Sequence, residues 1–325
     1  MNDNYKIDRP VFVIGTARCG LSPLMNLIAY HREFAWPSQY NNQHPNNYWV
    51  SFLSRLIDLP WLNASPLKYR RFPRHVESFF LWNNLFLGFS RPFRDLTEDD
   101  VTPYVKSKFR HAIGEIIKYQ SKTRFIAEYS GWSRIRFIKC IFPDAQFIHI
   151  VRDGRAVANS FLNVKWWQGW EGIYKWRWGV PREELLAKLE KYGYSFLALA
   201  AVHWKILIDN LIEQSQLLPR EDLLLVRYED MVKHPYEEAN RCIQFCGLDE
   251  NCHKFKKHLS TVKIVDANNQ SFRIPSWREN FSDEQIDMLN DILEDELIYF
   301  NYLPTHSTNG RAGDWQIKIT DKVSA

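Results

Sequence analysis

The apolar run Pro10-Val-Phe-Val-Ile14, followed at once by Gly15 and, after four intervening residues, by Gly20, leaves this chain few ways to fold. Short, β-branched and apolar, residues 11–14 predict a buried strand. Leu24, Ile28 and Ala29 then share one side of a helix that starts directly after the glycines. Strand, glycine loop and helix in that order aim backbone N–H groups and a helix N-terminus at one anion. Gly15, four residues, Gly20 and then Ser22 match the nucleoside-triphosphate loop G-x-x-x-x-G-K-[ST], except that Leu21 stands in the lysine position. Taken alone, the same letters also fit an ordinary tight turn.

Further strands are predicted at residues 124–128, 146–151 and 223–227, and helices near 21–31, 133–142, 154–162, 196–214, 236–246 and 283–299. The last helix opens on Ser282-Asp-Glu-Gln285, a capping-box pattern. Residues 36–50 are rich in turn formers and predict a loop. This alternation predicts the α/β class: a single P-loop-like domain over residues 5–305, with a central parallel sheet flanked by helices and a polar tail at 306–325. The 325 residues can bury a large core, and 45% hydrophobic with 25% charged residues describes a globular chain. A net charge of +4 suits an anionic ligand but is too small to argue for nucleic acid.

The start MNDNYKIDRP has no basic-then-apolar pattern and no window approaches a membrane span, so a cytoplasmic protein without a membrane partner is expected. Five scattered cysteines (Cys19, Cys140, Cys242, Cys246, Cys252) fit reduced thiols. Cys242 and Cys246, one helical turn apart, read as small core residues, and no metal site is expected.

A second strand-to-helix junction lies in FPDAQFIHIVRDGRAVANS, residues 142–160. Arg152 and Arg155 stand where the strand ends, and Ser160 follows Arg152 by eight residues, about two helical turns. A guanidinium and a hydroxyl so placed could grip one phosphate. Two surface arginines balanced by Asp153 would give the same pattern.

Together with VRYEDMVKHPYEEANRCIQFCGL at 226–248, these segments resemble the sulfotransferase family that uses 3′-phosphoadenosine-5′-phosphosulfate (PAPS) and releases 3′,5′-adenosine bisphosphate. The resemblance spans roughly residues 8–300 and keeps the family's motif order. It implies that Ala17, Arg18, Cys19, Gly20, Leu21 and Ser22 hold the 5′-phosphosulfate, in place of the family's [RK]-S-G-T-T. It implies further that Arg152 and Ser160 hold the 3′-phosphate, that Tyr228 of the Y-E-D stretch lies near the adenine, and that Pro275-Ser-Trp277-Arg278 matches the family's closing basic loop. Such a donor needs two separate anion grips, and Arg18 would do the missing lysine's work from inside the loop. The acceptor implied is a hydroxyl or amine on a small molecule or saccharide.

Three positions depart from the family. Leu21 and Cys19 replace loop hydroxyl residues. The stretch His31-Arg-Glu-Phe-Ala-Trp-Pro-Ser38 lacks the glutamate base of related members. Tyr129, in Glu128-Tyr-Ser-Gly131, replaces the lysine that steadies the transferring group. Either the acceptor needs no strong base, or another residue near a strand end supplies it, with Glu128, His44 and Glu33 as the candidates. His149, inside the apolar run FIHIV, reads as a core histidine.

Residues 165–178 carry five tryptophans in fourteen positions, within a Trp-rich insert at 162–195, and a bacterial sulfotransferase subgroup shares the W-W-x-G-W run. Some should cover core, and the rest could wall an acceptor pocket with flat faces suited to sugars or cations. Two alternatives stay open: a P-loop nucleotide kinase or triphosphatase, and a non-catalytic nucleotide-binding homologue.

Overall fold

The four strands expected from the sequence pair in parallel in one sheet, joined by a short fifth. The structure, a computed structural model, describes residues 5–58, 73–262 and 277–304. Its strands are β1 (Val11–Gly15), β2 (Phe34–Ala35), β3 (Arg124–Ser130), β4 (Gln146–Val151) and β5 (Leu223–Arg227), in the order β2-β3-β1-β4-β5. Among the described residues the helices are α1 (Leu21–Ile28), α2 (Gln39–Gln43), α3 (Phe79–Leu85), α4 (Pro103–Gln120), α5 (Ile135–Ile141), α6 (Gly154–Leu162), α7 (Glu183–Lys191), α8 (Phe196–Ser215), α9 (Tyr228–Lys233), α10 (Pro235–Phe245), α11 (His253–Thr261) and α12 (Asp283–Tyr299). None of these helices is long and apolar enough to cross a membrane.

The described chain packs as two compact units. One takes the residues up to Val151 together with those from Leu218, and the other takes Arg152–Leu217 and the residues from Trp277. In the first unit, β1 is buried along its whole length between β3 and β4. Its residues alternate between two cores, as strand geometry requires. Val11 and Val13 join Leu24, Met25 and Ile28 of α1, while Phe12 meets Phe125, Tyr129, Phe142 and Phe147 on the opposite face. Each such side chain stabilises the fold by roughly 1.5–3 kcal/mol through burial, which is why an eight-residue helix as short as α1 holds its place.

The loop expected at 36–50 takes partly regular form. Ser38 caps α2 with a capping box, and a run of 3-10 turns covers Tyr48–Asp58. The missed α4 carries its own signals, a Thr102 cap accepting from Val105 N–H and Pro103 in the first turn.

In the second unit α8 packs on α6 and α12. Gly154 opens α6 against the Trp204 ring, where an added Cβ would lie 2.7 Å from a ring carbon. Trp167 and Trp176 are buried, and the Trp167 indole N–H donates to His203 Nδ1 at 3.0 Å. His203 is stacked between Phe161 (4.6 Å) and Trp178 (3.5 Å), and burial drives its basicity well below the usual histidine range. Trp166 and Trp170 remain exposed, so the tryptophans split between core and surface.

Buried Lys205 on α8 pairs with Glu296 on α12, beside Asp209. Burial, reinforced by the Asp209 carboxylate and opposed by Lys205, pushes Glu296 up to about 8. The folded state therefore keeps a proton that the unfolded state releases near the ordinary 4.5. That contribution is complete below the unfolded value and is lost as pH rises through the folded one. Unfolding free energy should fall between these two values, and Glu296→Gln should flatten the profile in urea titrations at stepped pH. An unchanged profile would refute the assignment.

Gly20 has φ 108°, and a Cβ there would sit 2.5 Å from the Tyr228 ring. Gly20→Ala should destabilise the protein by about 2–4 kcal/mol, combining left-handed backbone strain with overpacking. Urea unfolding checks this, and a wild-type midpoint would contradict it.

Candidate functional site

The loop between β1 and α1 is shaped by close approaches that no Cβ would permit. At Gly15 an added Cβ would lie 2.5 Å from the Ile150 carbonyl oxygen and 2.6 Å from Cys19 Sγ. Arg18 adopts φ 68° and Gly20 φ 108°, so the chain turns back on itself before α1 begins. Cys19 and Leu21 point into the core, whereas Arg18 and Ser22 are exposed and Ala17 is half-buried. The first helical bond of α1 runs from Leu24 N–H to Gly20 C=O. The N–H groups of Leu21 and Ser22 thus have no helical carbonyl to serve, and Pro23 has no N–H. Thr16 Oγ1 is buried without a hydrogen-bond partner among the described residues. The loop thus presents backbone N–H groups at the start of α1, and Arg18 is its exposed basic residue. Tyr228, first residue of α9, closes one wall by packing its ring on Gly20, so the structure brings loop and Y-E-D stretch together.

Sheet polarity sorts the base candidates. Parallel strands present their carboxyl ends on one edge, the edge where open α/β sheets bind ligands. Glu128 pairs with Val13, two residues before Gly15, which puts it near that edge. Glu33 precedes Phe34, which pairs with Arg124 at the start of β3, so Glu33 lies at the opposite edge and is not a base for this site. His44 is exposed at the end of α2, its N–H bonded to the Tyr40 carbonyl. Tyr129 is corrected as well. Its side chain points to the other face of the sheet, where its hydroxyl donates to the Ser133 carbonyl at 2.9 Å and Arg134 lies 5.0 Å over the ring. Burial raises its pKa, and the buried hydroxyl cannot steady a group held at the loop. His149 is buried in β4 and pushed down to about 4 by burial, in keeping with a core residue.

Glu128 is not solitary. Its Oε1 lies 2.8 Å from Nδ1 of His75, and Nε2 of His75 lies 2.8 Å from Oδ1 of Asn26 on α1. The Glu128 side chain is fully buried and that of His75 is 4% exposed. Oε2 of Glu128 has no partner among the described residues. A second carboxyl, Glu77, is pushed up to about 7 by burial and by the Glu128 carboxylate, against hydrogen bonds from Ser130. No spacing in the sequence signals His75, a single histidine in a loop whose partner is 53 residues away.

In the second unit, buried Arg152 precedes α6 and half-buried Ser160 lies in its second turn. Arg155, in contrast, is consumed within the fold. It grips Asp153 through Nε and Nη2, bonds Asn290 at 2.9 Å and stacks 4.6 Å over Trp277. Trp277 is buried and Arg278, exposed, lies 5.2 Å from the same ring. Pro275 and Ser276 lie outside the described residues. Among the described residues no group of three or more His, Cys, Asp or Glu could hold a metal ion.

Comparison with known proteins bears on family and fold. A Mycobacterium bovis protein named omega-hydroxy-beta-dihydromenaquinone-9 sulfotransferase Stf3 is 21% identical over 294 residues, 83% of this chain and 70% of its own. A Caenorhabditis briggsae protein described as a candidate protein-tyrosine sulfotransferase is 25% identical over 167 residues, 48% of this chain, and the match spans about half of that relative's length (52%). The crystal structure of sulfotransferase STF9 from Mycobacterium avium shares the fold with a TM-score of 0.57 at 15% identity, covering 94% of this chain and 79% of that one. With the Sulfotransferase family model matching residues 10–251, through β1, the loop, β3, β4 and β5, the chain belongs to the sulfotransferase family.

Proposed function

We propose that the protein transfers the sulfuryl group of PAPS in line to a hydroxyl or amine of a small-molecule or saccharide acceptor. The observation that carries this is the loop itself. Its backbone is packed to cradle an anion, its lysine position is a buried leucine, and its cation is Arg18. A triphosphatase needs the lysine on its terminal phosphates, whereas a phosphosulfate needs donors where charge grows on the leaving phosphate. Arg18 and the N–H groups of Leu21 and Ser22 would supply them.

Arg152, Ser160 and Arg278 are assigned to the 3′-phosphate, and Tyr228 and Trp277 to the nucleoside. Support comes from strand order. β4 is the direct neighbour of β1 and runs parallel to it, so both strands end at the same edge of the sheet, β4 at Val151. Arg155, the other basic residue of this junction, is neutralised by Asp153 and is not assigned to the phosphate.

The relative named for a hydroxylated menaquinone supports an apolar alcohol as acceptor. So do exposed Trp170 and Phe196, whose rings meet edge to face at 5.1 Å and offer a flat apolar surface.

Hydrogen bonds to charged groups contribute about 1.5–3 kcal/mol, so Arg152→Ala should weaken 3′,5′-adenosine bisphosphate binding roughly 10–100-fold in calorimetry while ATP affinity stays unchanged. Equal losses for both nucleotides would contradict a 3′-phosphate ligand.

A further inference from the structure

The α1 face of the sheet carries an apolar core, and Glu128 enters it with a short chain of polar groups. Val13, Ile126, Leu24 and Ile28 fill that core, as packing alone would favour. A buried carboxylate and imidazole are costly there, since desolvation offsets their attraction and a hydrophobic pair would pack at least as well. Their position is equally specific. Glu128 lies two residues, about 7 Å along the sheet, before the level of Gly15. Asn26 follows Ser22 by four residues on one face of α1, so the His75 ring lies about one helical turn, 6 Å, from the exposed end of the loop.

We infer that His75 is the proton-accepting residue of the transfer and that Glu128 is its positioning carboxylate, an assignment that rests on the sulfotransferase reading above. Glu128 cannot meet an acceptor itself, because its side chain is fully buried. It can take the Nδ1–H of His75, which leaves the lone pair on Nε2; half-buried Asn26, whose Oδ1 lies 2.8 Å from that nitrogen, must then turn its amide so that Nδ2–H donates there. The Asn26 amide occupies the place that the acceptor hydroxyl takes during turnover. The ring is held from several sides: Tyr30, just past α1, lies 5.8 Å away and Trp36 6.5 Å, while His258 of α11 bonds the Asn26 carbonyl at 2.7 Å. Glu77 faces Glu128 from the His75 segment itself.

In the step, the acceptor O–H bond breaks and its proton passes to His75 Nε2. The acceptor oxygen forms the new bond to sulfur. The bond from sulfur to the bridging oxygen breaks, and its electron pair leaves with the 5′-phosphate of 3′,5′-adenosine bisphosphate. The proton is later lost to water, and Glu128 stabilises the transient imidazolium without itself taking the proton. This places the base on a segment before α3, reaching β3 from outside the strand.

The test needs no natural acceptor. Release of sulfate from labelled PAPS, with water as the acceptor, is measured together with calorimetric binding of the bisphosphate. Wild-type protein should exceed the buffer rate, His75→Gln should fall about 100-fold toward it, and Glu128→Gln should fall less, with bisphosphate affinity within twofold in both. Nitrogen-15 NMR of the wild-type histidines at pH 8 should show His75 as the Nδ1–H tautomer, a readout that stands if a variant fails to fold. Unchanged hydrolysis in His75→Gln, wild-type hydrolysis no faster than buffer with the bisphosphate bound, or a doubly protonated His75 would overturn the assignment. Loss of bisphosphate binding by the wild-type protein would instead sink the donor assignment, a separate failure.

Discussion

The site of this protein depends on how closely one backbone can approach its neighbours. At Gly15 the chain passes within Cβ distance of the Ile150 carbonyl on β4, and at Gly20 it lies under the Tyr228 ring. These two contacts fix the loop against the sheet on one side and against α9 on the other. With the loop fixed, α1 leaves at a set angle, its N-terminal N–H groups converge, and Arg18 is the side chain turned outward. An anion site made in this way uses fixed dipoles, which need no rearrangement when charge develops on a leaving group.

Buried charges in this chain fall into two kinds, and the distinction decides which residues to connect with chemistry. Arg134 and Arg155 are saturated. The first is spent on the carbonyls of Phe89, Ser90, Ser130 and Trp132, and the second on Asp153 and Asn290. Both hold loops and helices in place. Glu128 is different, with one oxygen on His75, the other without a partner among the described residues, and a second carboxyl close by. A polar network left incomplete near the carboxyl edge of a parallel sheet is where a ligand or proton has work to do.

Much of the fold was legible because it is carried by local pattern. The buried strands are short apolar runs, and the Ser282 capping box marks a helix start by a rule that involves a few adjacent residues, although the same kind of signal at Thr102-Pro103 opens a helix that the sequence reading lacks. The loop was legible for the same reason, since glycine positions report backbone shape directly. Tyr129 misled because neighbours in a strand face opposite sides. Only the register of β3 against β1 shows that Glu128 faces α1 while Tyr129 faces Phe12. Glu33 misled because nearness in sequence to α1 says nothing about which edge of the sheet a residue reaches. His75 was invisible because its partners Asn26 and Glu128 are 49 and 53 residues distant, joined by tertiary packing alone.

The central claim is that two phosphate ligands, at opposite ends of one nucleotide, are the ones this chain recognises. The most direct measurement is calorimetric titration of the wild-type protein with 3′,5′-adenosine bisphosphate, 5′-AMP and ATP with magnesium, ligands that differ chiefly in which phosphates they carry. The account predicts tight binding of the bisphosphate, with 5′-AMP weaker by at least tenfold and ATP weaker still. Preference for ATP, or equal affinity for bisphosphate and 5′-AMP, would contradict it.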